Sequence, residues 1–387
     1  MKKLTWPKYS LKEIKLVNKI IKSGKVNQWT GVYVKKFEKK FSNFFNLNYS
    51  LAVANGTVGL EAAIHSLNLD KDSEIIVTPR SFIASASSVL KMNFKPVFSD
   101  IDIHSQNIEL ENIKKVISNK TKAIICVHLA GYPTRMKEII AFARKKNIYI
   151  IEDCSQAHGA KINDKFTGTF GDVSVWSFCQ DKIISTLGEG GMISTNNIKI
   201  YNRLLSYRDH GKNYKNLSNI KNLDKFNYIN DFIGTNIRMT EIQAAVGYLQ
   251  LDNLNSWIKA RNLKIRNLEK KLSKIKKGIV LIKIPKNIRH SYYRYYFFIK
   301  TKKFKKGWNY LKLINTLRQK DKSFFIGGCP EIYNEKIFQR YKPKNKLNNV
   351  VSLSKSSVCI RIDQNLTNKK IEYLSKSVEN VFLNAFL

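Results

Sequence analysis

Between residues 49 and 152 the chain alternates short apolar runs with segments of helical spacing, and this rhythm restricts the fold more than any other feature. Five runs have the character of strands, at 49–54, 74–78, 96–99, 122–128 and 148–152. Amphipathic segments follow the first, second and fourth of these runs, at 58–67, 83–90 and 136–145. Apolar strands that alternate with helices predict a mainly parallel sheet covered on both faces. Ligands of such sheets bind beyond the carboxyl ends of the strands.

The last of these strands leads to a pair of residues that suits pyridoxal phosphate. It ends in Glu152-Asp153, and Lys182 follows a further apolar run at 173–178. A buried carboxylate facing the pyridine nitrogen would keep that nitrogen protonated, and the lysine amine would attach the cofactor covalently. We expect partial burial to lower the pKa of the Lys182 amine, so that it can attack a carbonyl and act as a general base. Taken singly, such an Asp usually caps a turn and such a Lys is usually a surface charge, so the interpretation depends on their order and spacing.

Two motifs in this region resemble those of the DegT/DnrJ/EryC1/StrS family of pyridoxal-phosphate-dependent sugar aminotransferases. Residues 152–159 read EDCSQAHG, and residues 177–191 contain SFCQDK followed by GEGG. Ser155 stands where the family usually has Ala, which is a small change. Lys182 is retained where some relatives carry His and catalyse a deoxygenation, so the resemblance favours transamination. It also implies an α/β fold of the aspartate-aminotransferase-like type I class, with a mainly parallel sheet and a smaller C-terminal α+β domain.

The resemblance further implies which residues hold the cofactor. The phosphate is assigned to Gly56, Thr57 and Ser177, ring stacking to Phe82, the ring nitrogen to Asp153, the ring hydroxyl to Gln156, catalysis and covalent attachment to Lys182, and a phosphate contact from the neighbouring subunit to Asn236. Because Asn236 would cross between subunits, the resemblance implies a homodimer with shared active sites.

Three positions in these motifs also have simpler interpretations. Asn55-Gly56-Thr57 joins a strand to a helix, which would aim free backbone N–H groups at a phosphate, but Asn-Gly is also a common turn. Phe82 could be a buried core residue. His158 could equally be a structural histidine whose hydrogen bonds are satisfied.

The basic charge of the chain suggests a different class of function. Its 68 Lys and Arg against 29 Asp and Glu give a formal net charge of +39 over 387 residues. The lysines are spread along the whole chain, so we interpret them as a solvated basic surface that would also attract an anionic substrate.

The five cysteines lack CxxC spacing and the six histidines are dispersed, so we predict neither a disulfide framework nor a metal site. We see no secretion signal and no apolar run long enough to span a membrane, which predicts a cytoplasmic protein.

The chain divides into two predicted domains. Residues 1–250 form the large cofactor-binding domain, which begins with helices at 10–23 and 34–45, and residues 251–387 form the small domain. A helix from 241 to about 275 is expected to connect them. Residues 213–230, rich in Asn and Lys, predict a mobile loop that could act as a lid.

The resemblance implies an aminotransferase that moves an amino group from glutamate to a nucleotide-linked keto-sugar, for surface-polysaccharide or glycan precursors. Within the family, GEGG followed by Met192 resembles the enzymes that aminate C4. Two other interpretations stay open. One is a different pyridoxal-phosphate reaction, such as dehydration of a sugar or amination of a cyclic ketone. The other is a basic nucleic-acid-binding regulator, which the charge alone suggests.

Overall fold

A computed structural model of the chain describes residues 6–214 and 229–387. Most of the predicted lid therefore lies outside the described residues. The strands within the described part are β1 (Tyr49–Val53), β2 (Glu74–Val77), β3 (Lys95–Phe98), β4 (Thr121–Val127), β5 (Tyr149–Asp153), β6 (Lys161–Ile162), β7 (Lys165–Phe166), β8 (Val173–Ser177), β9 (Gly191–Thr195), β10 (Ile279–Leu281), β11 (Ile288–Arg289), β12 (Arg294–Ile299), β13 (Phe324–Phe325) and β14 (Ser357–Arg361). The α-helices there are α1 (Leu11–Ser23), α2 (Tyr33–Phe45), α3 (Gly56–Ser66), α4 (Ala84–Lys91), α5 (Leu110–Lys114), α6 (Met136–Lys145), α7 (Ile198–Arg208), α8 (Glu241–Gln250), α9 (Leu254–Leu272), α10 (Tyr310–Lys320), α11 (Asn348–Ser354) and α12 (Asn368–Ala385).

Seven strands form the main sheet, in the order β1-β9-β8-β5-β4-β2-β3. The five strands from β8 to β3 pair in parallel, whereas β9 runs antiparallel to both β8 and β1. The predicted mainly parallel sheet is confirmed. The sequence did not indicate β9, because it begins within a glycine run that resembles a turn.

Both faces of the main sheet are covered. Val175 of β8 packs in the hydrophobic cluster that includes residues of α3 and α6, whereas the next residue, Trp176, packs in a cluster with residues of α2 and α8. Successive side chains of a strand point to opposite faces, so two separate layers of helices enclose the sheet. This enclosure explains why β2 and β8 are buried along their whole length.

The C-terminal part of the chain adds a second sheet and a second hydrophobic cluster. The order in this sheet is β10-β12-β14-β13, and its side chains pack with α9, α10 and α12. The single helix predicted from 241 to about 275 is wrong, because a 3₁₀ turn at Leu251–Asn253 separates α8 from α9, which ends at Leu272. Asp252 and Asn253 are poor helix formers, which is consistent with an interruption at this point. The domain boundary at residue 250 stays a prediction. No helix in the described ranges is both long and apolar enough to cross a membrane.

The N-terminus of α2 is capped from a distant part of the chain. The residue before the helix, Val32, has no side chain that could accept a hydrogen bond. Instead the buried Glu241 carboxylate accepts the backbone N–H groups of Val32, Tyr33 and Val34 at 2.8, 2.6 and 2.9 Å. A carboxylate at a helix N-terminus satisfies orphan donors and complements the helix dipole. This contact fixes α2 and the preceding loop to the start of α8.

We expect Glu241→Ala to lower the free energy of unfolding by about 2–4 kcal/mol, because buried N–H groups would lose a charged acceptor. The urea midpoint, followed by circular dichroism, measures the effect. Glu111→Ala is the control, since Glu111 is a surface carboxylate paired with Lys114, and it should change stability by less than about 0.5 kcal/mol. Equal midpoints for the two variants would contradict the role assigned to Glu241.

Candidate active site

The candidate site lies where β1, β5 and β8 end at the same edge of the main sheet. β5 and β8 are parallel, with Asp153 paired beside Val175. Gly191 of β9 lies between Ser177 at the end of β8 and Val53 at the end of β1. The three strand ends are therefore neighbours, as the rule for parallel sheets predicts.

Gly56 allows the N-terminus of α3 to lie directly against Ser177. A Cβ atom on Gly56 would lie 2.8 Å from the Cβ of Ser177 and 3.4 Å from Ser155 Oγ. The Asn55 side chain caps the helix by accepting one backbone N–H of the first turn at 3.0 Å. The N–H groups of Gly56 and Thr57 remain outside the intrahelical pattern, at the positive end of the helix dipole. Such a cradle of backbone donors beside a serine hydroxyl fits a phosphate.

Asp153 is a buried carboxylate without a cationic partner among the described residues. It is 4% exposed. Its Oδ2 accepts a hydrogen bond from Ser85 Oγ at 2.8 Å, and its Oδ1 accepts one from the Ser155 N–H at 3.0 Å. None of the ion pairs in the described ranges includes it. Burying a lone charge is costly, so a cationic ring nitrogen of a bound cofactor would suit this carboxylate.

Phe82 is a large aromatic side chain left 64% exposed. The alternative that it is a core residue is therefore excluded. A chain of hydroxyl contacts places it near Asp153, since the neighbouring Ser81 lies 3.0 Å from Ser85 Oγ, which in turn binds Asp153. Ser81 also pairs through its backbone with Cys329 of the C-terminal part. An exposed ring held at this point fits the stacking role that the sequence motif implies.

Gln156 has a defined contact in this structure. Its side-chain oxygen accepts the N–H of Ala130 at 2.8 Å, and Ala130 has a positive φ of 57°. Gln156 thus stabilises a tight turn beside the site. Its predicted place near a ring hydroxyl stays a prediction.

The Lys182 amine lies against two polar groups. Its Nζ is 3.3 Å from the hydroxyl of Tyr293 and 3.8 Å from Oδ1 of Asp181, and its side chain is 14% exposed. Burial alone would lower the pKa of Lys182, but Tyr293 and Asp181 together outweigh it and hold the pKa above its usual value. The expectation of a lowered pKa is therefore wrong for the ligand-free chain. The sequence analysis missed Tyr293 because it lies 111 residues away, in a strand whose aromatic residues look alike.

The side chain of His158 is completely buried. Within the described residues neither ring nitrogen has a partner at good hydrogen-bond geometry, although the Ser177 backbone lies close enough to act on the ring, so the alternative of a structural histidine stays open. Burial, with a further contribution from the Lys182 charge, lowers the pKa of His158 to about 3 against a smaller opposing effect of the Ser177 backbone. The ring is neutral at physiological pH and cannot act there as a general acid.

Glu152 supports the site from the opposite face of β5, a role that the sequence analysis did not assign. Its carboxylate accepts the N–H groups of Gly168, Phe170 and Gly171 at 2.6–2.8 Å. His128 accepts a backbone N–H at Nδ1, so its Nε2 carries the proton and donates to Glu152 at 3.0 Å. Burial would raise the pKa of Glu152, but the hydrogen bonds from His128 and the backbone lower it. Successive strand residues face opposite ways, so this clamp on Glu152 fixes the direction of Asp153.

Cys154 lies beside this clamp, and its sulfur is within 4.8 Å of ligand atoms of His128 and Glu152. Both oxygens of Glu152 already accept hydrogen bonds. Burial raises the pKa of the Cys154 thiol well above its usual value, so the thiol stays protonated. We interpret the cluster as structural, and the absence of a metal site stays a prediction.

Asn236 is exposed at the surface of the chain. Its neighbour Ile237 accepts the N–H of Ala54 at 2.8 Å, which places this segment beside the strand that leads to the helix α3. Its own backbone bridges to Asp209. Ile233 in the same segment is 93% exposed. The contact of Asn236 with a partner's cofactor stays a prediction.

Comparison with known proteins identifies the fold and the family. The model of the DegT/DnrJ/EryC1/StrS aminotransferase family matches residues 7–379. GDP-perosamine synthase from Escherichia coli O157:H7 is 36% identical over 287 residues, which are 74% of this chain and 75% of that protein. The X-ray structure of the aminotransferase from Psychrobacter cryohalolentis superposes with a TM-score of 0.94 at 35% identity and covers 98% of both chains. A structure of the E. coli GDP-4-keto-6-deoxy-D-mannose-3-dehydratase with bound hydrated PLP is also similar, with a TM-score of 0.86, 26% identity and coverage of 96% of this chain and 97% of the other.

These matches confirm the type I transferase fold that the motifs implied. They extend over nearly all of the chain rather than over the motifs alone. The chain is a member of the DegT/DnrJ/EryC1/StrS aminotransferase family and an enzyme of the pyridoxal-phosphate-dependent aminotransferase class.

Proposed function

We propose that this enzyme transfers the amino group of glutamate to a nucleotide-linked keto-sugar, with pyridoxal phosphate as its cofactor, during the synthesis of surface-polysaccharide or glycan precursors. The observation that carries the proposal is the amine of Lys182 at the same strand edge as a phosphate cradle and a buried carboxylate that pairs with no cation in the described residues. The name of the similar GDP-perosamine synthase supports a nucleotide-sugar substrate. The pattern from Gly188 to Met192 favours C4 as the carbon aminated.

The residues of the site divide the work of binding. Gly56, Thr57 and Ser177 would hold the phosphate, Phe82 would cover the ring, and Asp153 would face the ring nitrogen. Gln156 would lie near the ring hydroxyl. When bound, the cofactor supplies an electron sink for the substrate carbon. Asp153 keeps that sink effective because its negative charge favours the protonated ring nitrogen.

Lys182 is the residue that would attach the cofactor and move the proton. Its Nζ lies beyond the end of β8, where the Tyr293 hydroxyl and the Asp181 carboxylate hold it in place. In its neutral form it can accept a proton from the substrate carbon, and in its charged form it can return one. Water is restricted around the amine because the side chain is mostly buried.

The net charge suits an anionic substrate. A nucleotide-linked sugar carries negative phosphates, and a chain with a formal charge of +39 raises its local concentration.

Sugar dehydration is the second candidate, because the similar E. coli structure is a GDP-4-keto-6-deoxy-D-mannose-3-dehydratase. Retention of Lys182 favours transfer over dehydration.

We also infer a homodimer in which each site receives Asn236 from the other subunit. The exposed Ile233 and Phe232 support a protein contact here, because large apolar side chains that are exposed together commonly mark interfaces. Trp29 lies near Asn236 as well, since the centre of its ring is 5.9 Å from the guanidinium carbon of Arg238. We further propose that residues 1–250 form a large cofactor-binding domain and residues 251–387 a small domain.

The function is tested by incubating the full-length enzyme with glutamate and a panel of nucleotide-linked keto-sugars. We expect 2-oxoglutarate and an amino-sugar in equal amounts, without a product of water loss. Lys182→Ala should abolish both products while still binding the cofactor non-covalently, because the proton carrier is lost. Lys199→Ala removes an exposed lysine and should leave turnover unchanged. Water elimination without amino transfer would establish the dehydratase alternative instead.

Asp153→Asn tests the electron sink. Turnover should fall by about 10²–10³-fold, since a main electrostatic contact in the site is lost. Ser85→Ala keeps the carboxylate and removes one neutral hydrogen bond, so its loss should stay within about tenfold. The rate of the glutamate half-reaction, followed by cofactor absorbance, measures both variants. A folded Asp153→Asn enzyme with normal turnover would show that the ring nitrogen lies elsewhere.

Subunit mixing tests the shared site. A dimer of one Lys182→Ala chain and one Asn236→Ala chain should contain one site with both residues intact, because each site takes Lys182 and Asn236 from different chains. Differently tagged chains, unfolded together and refolded, allow the mixed dimer to be isolated. We expect about half of the wild-type activity from the mixed dimer and little from either parent. A fully active monomer would refute the arrangement.

A further inference from the structure

Two short segments beside separate sheets meet near the Lys182 amine. Asp181 and Lys182 follow β8 of the main sheet, whereas Tyr293 directly precedes β12 of the C-terminal sheet and Arg294 begins it. The Lys182 Nζ is 3.3 Å from the Tyr293 hydroxyl, and the Arg294 guanidinium is 2.7 Å from Oδ2 of Asp181. These four residues, called the 181–294 cluster below, are not assigned together by the family motifs.

The hydrogen-bond directions within the 181–294 cluster follow from its geometry. The Tyr293 hydroxyl donates its single proton to Oδ2 of Asp181. Its oxygen therefore acts as an acceptor towards the other two neighbours, Lys182 Nζ at 3.3 Å and the Arg294 guanidinium at 3.1 Å. The Lys182 Nζ also lies 4.6 Å from the centre of the Tyr293 ring. The oxygen and the ring of Tyr293 therefore face the amine as acceptors, and the phenol donates no proton to the amine.

The charged and titratable groups around Lys182 have opposing effects. Burial has the largest effect and disfavours the protonated amine, Tyr293 and Asp181 favour it, and the Arg294 charge disfavours it. The ring of His158 is neutral because burial holds its pKa at about 3. Burial, with Glu189 and Asp181, raises the pKa of the Cys179 thiol, which is neutral as well. Asp181 is thus the anion that directly balances Lys182.

We propose that Asp181 and Tyr293 are positioning residues that retain the proton of the free Lys182 amine, with Arg294 opposing them by drawing on the same carboxylate. The proposal rests on the role of Lys182 in the proposed function. Its chemical consequence is simple. A neutral amine attacks a carbonyl carbon through its lone pair, whereas an ammonium group must first release a proton to solvent. The cluster therefore slows covalent capture of an aldehyde at neutral pH and makes capture faster as the pH rises.

Competitive acetylation of the cofactor-free, full-length chain tests this proposal without requiring amino transfer. The amine nitrogen bonds to one carbonyl carbon of acetic anhydride, acetate leaves, and one proton goes to solvent. Mass spectrometry of the peptide containing Lys182 gives its rate across a neutral to alkaline pH series. Exposed lysines in the same digest provide the internal reference, and the alkaline plateau corrects for access of the reagent.

In the wild-type chain the reactivity of Lys182 should rise at a higher pH than that of the exposed lysines. Asp181→Asn should increase its rate at neutral pH by about tenfold, since an adjacent opposite charge shifts a pKa by about one unit or more and one unit changes the neutral fraction tenfold. Tyr293→Phe should give a smaller increase. High salt should reduce the difference between Asp181→Asn and wild type, because Asp181 is partly exposed. Glu111→Gln, a charge-matched change at the surface, should have no effect.

Arg294→Gln distinguishes an electrostatic role from simple loosening of the loop. Removal of the opposing cation should slow acetylation at neutral pH, whereas a loosened loop would accelerate it as Asp181→Asn does. The proposal is overturned if Asp181→Asn and wild type share one pH profile, or if Arg294→Gln also accelerates the reaction. Failure of amino transfer with these acetylation results intact would refute the proposed function and not the cluster. As a second readout, the uptake of pyridoxal phosphate by the cofactor-free chain should be faster in Asp181→Asn at neutral pH.

Discussion

The site depends on one buried negative charge at the end of β5. Asp153 has hydroxyl and backbone donors around it, and no cation pairs with it in the described part of the chain. The neighbouring Glu152, on the opposite face, is held by three backbone N–H groups and His128. Glu152 makes the structural hydrogen bonds at this strand end, so Asp153 remains available to pair with a bound ligand. A sheet covered on both faces is what allows two adjacent carboxylates to have such different environments.

Contacts between distant segments hold the rest of the site in place. Glu241 caps α2 from the start of α8, and Gln156 holds the turn at Ala130. Ser81 pairs with Cys329, and Tyr293 reaches Lys182 from the second sheet. The last two of these links join the part of the chain that contains the main sheet to the C-terminal part. A movement of one sheet relative to the other would therefore change the surroundings of Lys182 directly.

Charge acts at two scales in this protein. The formal charge of +39 acts over the whole surface, where salt screens it and where it favours any anion. The 181–294 cluster acts within 4 Å of one amine. The sequence prediction considered only the partial burial of Lys182 and therefore expected a lowered pKa. Desolvation is indeed the largest single effect, but a carboxylate and a phenol reverse its sign.

The sequence alone determined the alternation of strands and helices, the mainly parallel sheet, the turn at 55–57 before a helix and the family, because each depends on residues that are close in the chain. It also pointed to Lys182, Asp153 and Gly56, whose chemistry is visible in short motifs. It did not indicate β9, the break between α8 and α9, or the contacts of Glu152, Glu241 and Tyr293. Those depend on partners as many as 209 residues apart, whose distance is set only when the strands are ordered in the sheet. The exposure of Phe82, the burial of His158 and the pKa of Lys182 were likewise decided by the tertiary structure, because burial and local charge are properties of neighbours in space.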